Sequence, residues 1–176
     1  MKKIALVVGH SSDKQGASSP SGLTEFAYNK DLAFMVMLGI TPHENVEAKI
    51  YYRTHGLRNL VDKLMNTDAD LFVSFHCNSF GDPNVKGTEV LVSDLGSTAS
   101  LATELSKKIS TQLGTNNRKM KYVRDGERGS LFLSLPNSIL IESFFLSNEG
   151  DVQSGITHQE SLADIIASAL VRFVED

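Results

Sequence analysis

Short apolar runs alternate along the chain with longer segments in which apolar residues recur at helical spacing. The runs have the length of buried strands and end at polar residues or glycine, a pattern typical of strands covered on both faces. They predict strands over residues 4–8, 47–52, 71–75, 87–92 and 138–141.

The longer segments predict helices. Apolar residues fall on one helical face in residues 57–65, 101–113 and 162–173. An apolar-rich helix is also predicted over residues 26–38, led by Thr24 and Glu25. Thr157 and Glu160 have the spacing of a capping box, which predicts that the closing helix begins there.

This alternation of strands and helices predicts the fold class. We expect an α/β protein with a mostly parallel or mixed central sheet of five or six strands and helices on both faces. A chain of 176 residues fits a single domain. The segment Asn116–Gly129 mixes basic and acidic residues with two glycines, and is predicted to be a loop that could face a substrate.

Composition narrows the range of functions. The net charge of -4 gives no electrostatic reason to expect a nucleic-acid partner. Cys77 is the only cysteine, so a metal site has to use histidine and carboxylate ligands. The apolar stretch Ile4–Gly9 is too short for a secretion signal, and no stretch reaches the roughly 20 apolar residues of a membrane span. We therefore expect synthesis in the cytoplasm without Sec export.

Three side chains that can bind a metal or transfer a proton follow predicted strands. His10, His76 and Glu142 come directly after the first, third and fifth runs, and the carboxyl ends of parallel strands meet at one edge of a sheet. Glu25, in the first turn of the next helix, could reach over to them. Catalytic zinc sites use three such ligands and leave one position open, while a further carboxylate moves protons. A single histidine at a strand end is more often a hydrogen-bonded loop residue, so position alone leaves this reading open.

Four segments carry a resemblance to a known family. Val7–His10, Gly22–Glu25, Val73–Ser79 and Leu140–Asn148 resemble, in the same order, the motifs of the zinc-dependent N-acetylmuramoyl-L-alanine amidases. Tyr52–Thr54 and Arg58 are also similar to a family element, and the resemblance runs from Ile4 to the final helix.

The resemblance implies a role for each residue. His10, Glu25 and His76 would bind one zinc ion per chain, and Glu142 would be the catalytic carboxylate that accepts a proton from water and returns it to the amine of L-alanine. The substrate would be the amide between MurNAc and L-alanine in peptidoglycan. Asn78 would contact the muramyl peptide, although it could equally orient its own loop.

The sequence departs from the family pattern at two places. Ser11 and Ser12 follow His10 where two glycines are common, and Ser143 follows Glu142 where glycine is common. Family members often carry wall-binding repeats or an export signal. We expect residues 1–176 to be a single catalytic domain with no separate wall-binding domain, most like a phage endolysin that reaches the wall through a membrane lesion.

Two other functions remain open on the sequence. A zinc peptidase that cleaves within the stem peptide would use the same metal and carboxylate. A non-catalytic wall-binding domain could keep the fold, although binding alone does not require a proton-transfer group such as Glu142. A monomer is favoured, and the host and the peptidoglycan chemotype are not defined by the sequence.

Overall fold

The computed structural model describes residues 1–93 and 97–176. Its strands are β1 (Lys2–Val8), β2 (Val46–Tyr51), β3 (Leu71–Asn78), β4 (Thr88–Ser93), β5 (Asn117–Val123) and β6 (Ser138–Phe145). Its helices are α1 (Glu25–Ile40), α2 (Leu57–Met65), α3 (Ala99–Leu113), α4 (Ser130–Leu133), α5 (Glu149–Thr157) and α6 (Gln159–Glu175). The predicted single-domain α/β fold is confirmed.

The strands form one mixed sheet in the order β2-β1-β3-β6-β4-β5. β1 pairs in parallel with β2 and β3, and β3 pairs in parallel with β6. β4 runs antiparallel to β6 and parallel to β5. The carboxyl ends of β1, β3 and β6 therefore lie side by side, and β4 enters the sheet beside them.

Helices cover both faces of the sheet, as the sequence predicts. α1, α3 and α6 pack on one face, where alternate strand residues such as Leu6, Val73 and Ile141 are buried. α2 and α4 cover the other face over the intervening positions, such as Val7 and Leu140. Because both faces are covered, the central strands are apolar almost throughout.

The ends of the helices follow local sequence signals. α1 begins at Glu25 because Thr24 precedes it as N-cap, with its hydroxyl accepting a hydrogen bond from the backbone N–H of Ala27 at 3.3 Å. α3 ends at Gly114, whose φ of 60° lies in the left-handed region that glycine adopts readily. The Thr24 cap matters for the site, because it sets Glu25 in the first turn of α1.

The prediction of a loop over Asn116–Gly129 is wrong for half of its residues. Asn117–Val123 forms β5, an edge strand that pairs in parallel with β4. Its charged residues suggested a loop, but charged side chains are common on edge strands because they discourage pairing with another chain. The remainder of the predicted loop, residues 124–129, connects β5 to α4.

The predicted capping box at Thr157 and Glu160 is also wrong. Thr157 is the last residue of α5, and its hydroxyl donates to the carbonyl of Gln153 at 2.8 Å instead of capping α6. The sequence analysis missed α5, whose N-cap is Asn148, accepting from the N–H of Asp151 at 2.9 Å. Its nine residues carry little apolar periodicity, because its buried side holds Asp151 and Gly155 beside a single apolar residue, Val152.

Within the described residues, no helix combines the length and the apolar character that crossing a membrane requires.

Asp151 links three elements from a buried position. Its Oδ2 accepts from the N–H of Gly87 at 2.9 Å and from the N–H of Phe145 at 3.0 Å. Its Oδ1 accepts from the hydroxyl of Thr115 at 2.5 Å. The side chain thus fastens the starts of β4 and β5 to the end of β6.

We expect Asp151→Ala to lower the free energy of unfolding by about 3 kcal/mol, since it leaves two buried N–H groups without acceptors. Urea denaturation followed by circular dichroism measures this loss. Asp164→Ala, on the exposed side of α6, is the control and should change stability by less than about 0.5 kcal/mol. Equal stability of the two variants would contradict the linking role of Asp151.

Candidate metal centre

His10 lies just beyond the end of β1. Its φ is 65°, a left-handed conformation that is uncommon outside glycine and that often occurs at functional sites. This turn of the backbone brings the imidazole over the edge of the sheet. The ring centroids of His10 and His76 are 5.4 Å apart.

His76 and Glu142 lie within strands and not after them. β3 continues to Asn78 and β6 continues to Phe145, so the predicted strand ends at Phe75 and Ile141 are wrong. The parallel pairing of β3 with β6 extends past both residues and sets His76 directly opposite Glu142. Two side chains paired in this way point to the same face of the sheet.

Glu25 lies between the two histidines. Its Oε2 is 3.0 Å from His10 Nε2, and its Oε1 is 2.8 Å from His76 Nδ1. The backbone N–H groups of Ala17 and Cys77 donate to the same two oxygens, at 3.1 and 3.2 Å. The carboxylate is only 1% exposed, and these four contacts fix its position.

The electrostatics of this group follow from burial and pairing. Burial alone would raise the pKa of Glu25, but hydrogen bonds from His10 and His76 hold it well below its usual range. Burial lowers the pKa of His76, and the Glu25 carboxylate only partly offsets this effect. The group therefore presents one ionised carboxylate between imidazoles.

The three side chains have the chemistry and spacing of a metal site. One donor atom from each of His10, Glu25 and His76 lies within 4.8 Å of the others. Two imidazoles and one carboxylate are a ligand set typical of catalytic zinc, in which a fourth position is open to water or substrate. The residues predicted as ligands are thus brought together.

Glu142 lies beside this group and is 3% exposed. Its Oε2 has no hydrogen-bond partner among the described residues, and its Oε1 is 3.6 Å from Nη2 of Arg128. Burial raises the pKa of Glu142 to about 8; Arg128 opposes the rise, while the negative charges of Glu25 and Glu89 add to it. A buried carboxylate with a free oxygen is equipped to exchange a proton.

A cleft of about 200 Å³ opens onto His10, His76 and Glu142. α2, α4 and β6 form its apolar walls, through residues that include Leu57, Leu60, Phe132 and Leu140. Arg53 and Arg128 also line it. The cleft gives a molecule access to the polar group along a largely apolar surface.

Asn78 is held by a neighbouring polar cluster. Its Nδ2 donates to Glu89 Oε1 at 2.9 Å, and its Oδ1 accepts from the N–H of Ser79 at 3.0 Å. Glu89 Oε2 also accepts from Arg118 Nε at 2.8 Å and lies 2.9 Å from Lys121 Nζ. We call Asn78, Glu89, Arg118 and Lys121 the Glu89 cluster. These contacts place Asn78 near the site, and its predicted role in substrate binding stays a prediction.

Comparison with known proteins identifies the family to which the chain belongs. The family model described as N-acetylmuramoyl-L-alanine amidase matches residues 4–172. The chain belongs to this family. The resemblance carried by the four sequence motifs is thereby confirmed.

The amidase LytC of Bacillus subtilis strain 168 is 28% identical to this chain over 152 residues. The alignment covers 81% of this chain but only 29% of LytC, so the chain spans less than a third of that relative's length.

Solved amidase structures share the fold. The N-acetylmuramoyl-L-alanine amidase of Clostridium difficile 630 is 20% identical, with a TM-score of 0.86 over 99% of this chain and 97% of its own. The catalytic domain of CD27L endolysin, which targets Clostridia difficile, is 24% identical, with a TM-score of 0.81 over 98% of both chains. At these sequence identities the comparison shows that the fold is shared, and nothing more.

Sequence reasoning missed Arg128 and Glu89 in this amidase-family site. Arg128 belongs to a stretch of mixed charge. No periodicity in this stretch indicates which of its side chains faces the site. Glu89 carried a usable signal, because it is a charged residue inside the predicted strand 87–92. Such a residue in a strand buried on both faces requires a partner.

Gly16 packs closely against the candidate ligands. A Cβ at this position would lie 2.5 Å from Glu25 Oε2 and 2.7 Å from a ring carbon of His10. We expect Gly16→Ala to weaken metal binding at this candidate site at least tenfold, since the side chains of Glu25 and His10 would have to move apart. Competition with a chromophoric chelator measures the affinity.

Gly22→Ala is a matched control. Gly22 also has a positive φ, 89° against 77° at Gly16, but nothing lies within 4 Å of its added Cβ. Both substitutions therefore strain the backbone, and only one crowds the ligands. Equal zinc affinities in the two variants would contradict the inferred crowding.

Proposed function

We propose that this chain is a zinc-dependent N-acetylmuramoyl-L-alanine amidase that hydrolyses the amide between MurNAc and the L-alanine of the peptidoglycan stem peptide. The observation that carries the proposal is the placement of His10, Glu25 and His76 within ligand distance of one another, beside a buried Glu142 with one oxygen that has no hydrogen-bond partner in the described part of the chain. Membership of the amidase family supports the choice of substrate.

His10, Glu25 and His76 fit zinc by donor type and by number, with one ion per chain. The N–H groups of Ala17 and Cys77 hold the Glu25 carboxylate in place, as residues behind metal ligands commonly do. Zinc held there supplies a Lewis acid, which lowers the pKa of water and polarises the amide carbonyl.

Glu142 carries the proton. Its free oxygen can accept a proton from the attacking water, and the protonated acid can then donate it to the departing amine of L-alanine. Burial keeps the acid form accessible near neutral pH, whereas the positive charges of Arg128 and of a bound cation favour the carboxylate. The same side chain can therefore serve both steps.

The cleft beside Glu142 receives the substrate in this proposal. Leu57, Leu60 and Phe132 give it apolar walls that limit competing water. The guanidinium of Arg128 is largely exposed at its rim and can turn toward a substrate oxygen.

We further propose that the protein acts in phage-mediated host lysis as a single catalytic domain. The support is the fold shared over 98% of its length with the catalytic domain of an endolysin. Expression in host cells with and without a membrane-permeabilising protein tests this role, and lysis is expected only with permeabilisation.

Glu142→Gln should lower the rate of peptidoglycan hydrolysis by at least about a hundredfold while leaving the zinc content unchanged, because it removes the proton carrier and no ligand. His76→Ala should lose both zinc and activity. The zinc content is measured by atomic emission. Hydrolysis of purified walls is measured by the appearance of stem peptides with a new N-terminal alanine.

Glu160→Gln, an exposed carboxamide substitution on α6, is the control and should match the unaltered protein. Mass spectrometry of the products must show whole stem peptides and intact glycan. Fragments of the stem would instead identify a peptidase, and walls left intact by the zinc-loaded protein would identify a binding domain.

Removal of zinc should also lower thermal stability. Without zinc, the two imidazoles and the carboxylate lose the cation that they would share. A ligand that binds only the folded state stabilises that state by about 2.7 kcal/mol when its concentration is a hundred times its Kd. Calorimetry with and without a chelator measures the shift in Tm. His76→Ala should show no such shift, and a shift equal to that of the unaltered protein would place the ion elsewhere.

A further inference from the structure

The Glu89 cluster lies on the same sheet face as Glu142. Glu89 of β4 is paired with Glu142 of β6 in the antiparallel register, and Lys121 of β5 is paired with Leu91 two residues along β4. Neighbouring strands lie roughly 4.8 Å apart, so the cluster begins one strand from Glu142 and extends to a second. Apart from Asn78 of β3, it borders the candidate active site on the side away from His10.

Arg118 is fixed at two points within the cluster. Its Nε donates to Glu89, and its guanidinium carbon lies 5.0 Å from the centre of the Phe145 ring. The contact with Glu89 is made by Nε, so the two terminal amino groups of Arg118 lie outside that hydrogen bond. A guanidinium held through Nε presents these two groups as a fork that matches the two oxygens of a carboxylate.

The charges in the cluster do not balance. Arg118 and Lys121 both pair with the single carboxylate of Glu89, so one positive charge is left over. Their side chains are 34% and 44% exposed, whereas that of Glu89 is 11% exposed. The surplus charge therefore faces solvent, where it can attract an anion.

In a MurNAc peptide, the carboxylates lie on one side of the scissile bond only. The lactyl carboxyl of MurNAc is consumed in that amide, so the nearest free carboxylates belong to the stem peptide. We propose that the Glu89 cluster binds a free carboxylate of the stem peptide on the side of the departing amine. This inference rests on the proposed function, and it orients the peptide across β4 and β5.

The distance selects the second residue of the stem. One to two strand spacings, roughly 5 to 10 Å, correspond to about two to three extended residues counted from the scissile nitrogen, and the second residue lies at the near end of this range. In stem peptides that residue is D-glutamate, whose α-carboxyl group occurs free or as a carboxamide. The cluster thus predicts a preference for the free acid.

Two product peptides test this preference without requiring turnover. L-alanyl-γ-D-glutamyl-L-lysine amide and L-alanyl-D-isoglutaminyl-L-lysine amide differ only in a carboxylate against a carboxamide. We expect the zinc-loaded protein to bind the acid roughly tenfold more tightly, the ratio for one charge-assisted hydrogen bond. Titration followed by NMR measures both affinities, and the Nε–H resonance of Arg118 should shift with the acid alone.

Variants assign the preference to the cluster. Lys121→Met removes the surplus charge, and Arg118→Lys keeps the charge but removes the fork; each should abolish most of the tenfold preference. Lys119→Met is the matched control, because Lys119 is an exposed cation on the same strand outside the cluster. Thermal denaturation of each variant checks that it is folded, and the half-exposed Lys121 is the safer of the two test positions.

Equal affinities of the unaltered protein for the two peptides would overturn the proposal. So would a preference kept by both cluster variants, or one lost equally in Lys119→Met. A preference for the acid in a protein that fails to hydrolyse walls would support this binding site while contradicting the proposed amidase activity.

Discussion

The buried carboxylate of Glu25 is the constraint on which the site depends. A charge removed from water has to be compensated, and here two imidazoles and two backbone N–H groups supply the compensation. These contacts tie the start of α1 to the loop after β1 and to β3. The geometry of the candidate metal site is therefore also the geometry that makes burial of Glu25 tolerable.

The sheet converts this local group into a row of functional side chains. The parallel register sets Glu142 beside His76, and the antiparallel entry of β4 sets Glu89 beside Glu142. The charges of Glu25 and Glu89 both act on Glu142, and three acidic groups so close together would repel one another. Hydrogen bonds from the two histidines stabilise Glu25, and Arg118 and Lys121 pair with Glu89, whereas burial raises the pKa of Glu142 between them.

Much of the fold was predictable, because central strands buried on both faces must be apolar and amphipathic helices must show their spacing. β5 was missed because an edge strand can be charged. α5 was missed because its buried side holds Asp151 and Gly155 beside a single apolar residue, Val152. The ends of β3 and β6 were placed too early. The polar side chains of His76 and Glu142 suggested loops, whereas pairing between two strands holds them in the sheet.

The sequence by itself determined the fold class, the family and the identities of His10, Glu25, His76 and Glu142, since these follow from residue types and their order. Only the tertiary structure decided that three of them meet within ligand distance, that one oxygen of Glu142 has no partner among residues 1–93 and 97–176, and that Arg128 and the Glu89 cluster adjoin it. Those facts depend on strand register and on burial, which join residues far apart in the chain and leave no local pattern to read.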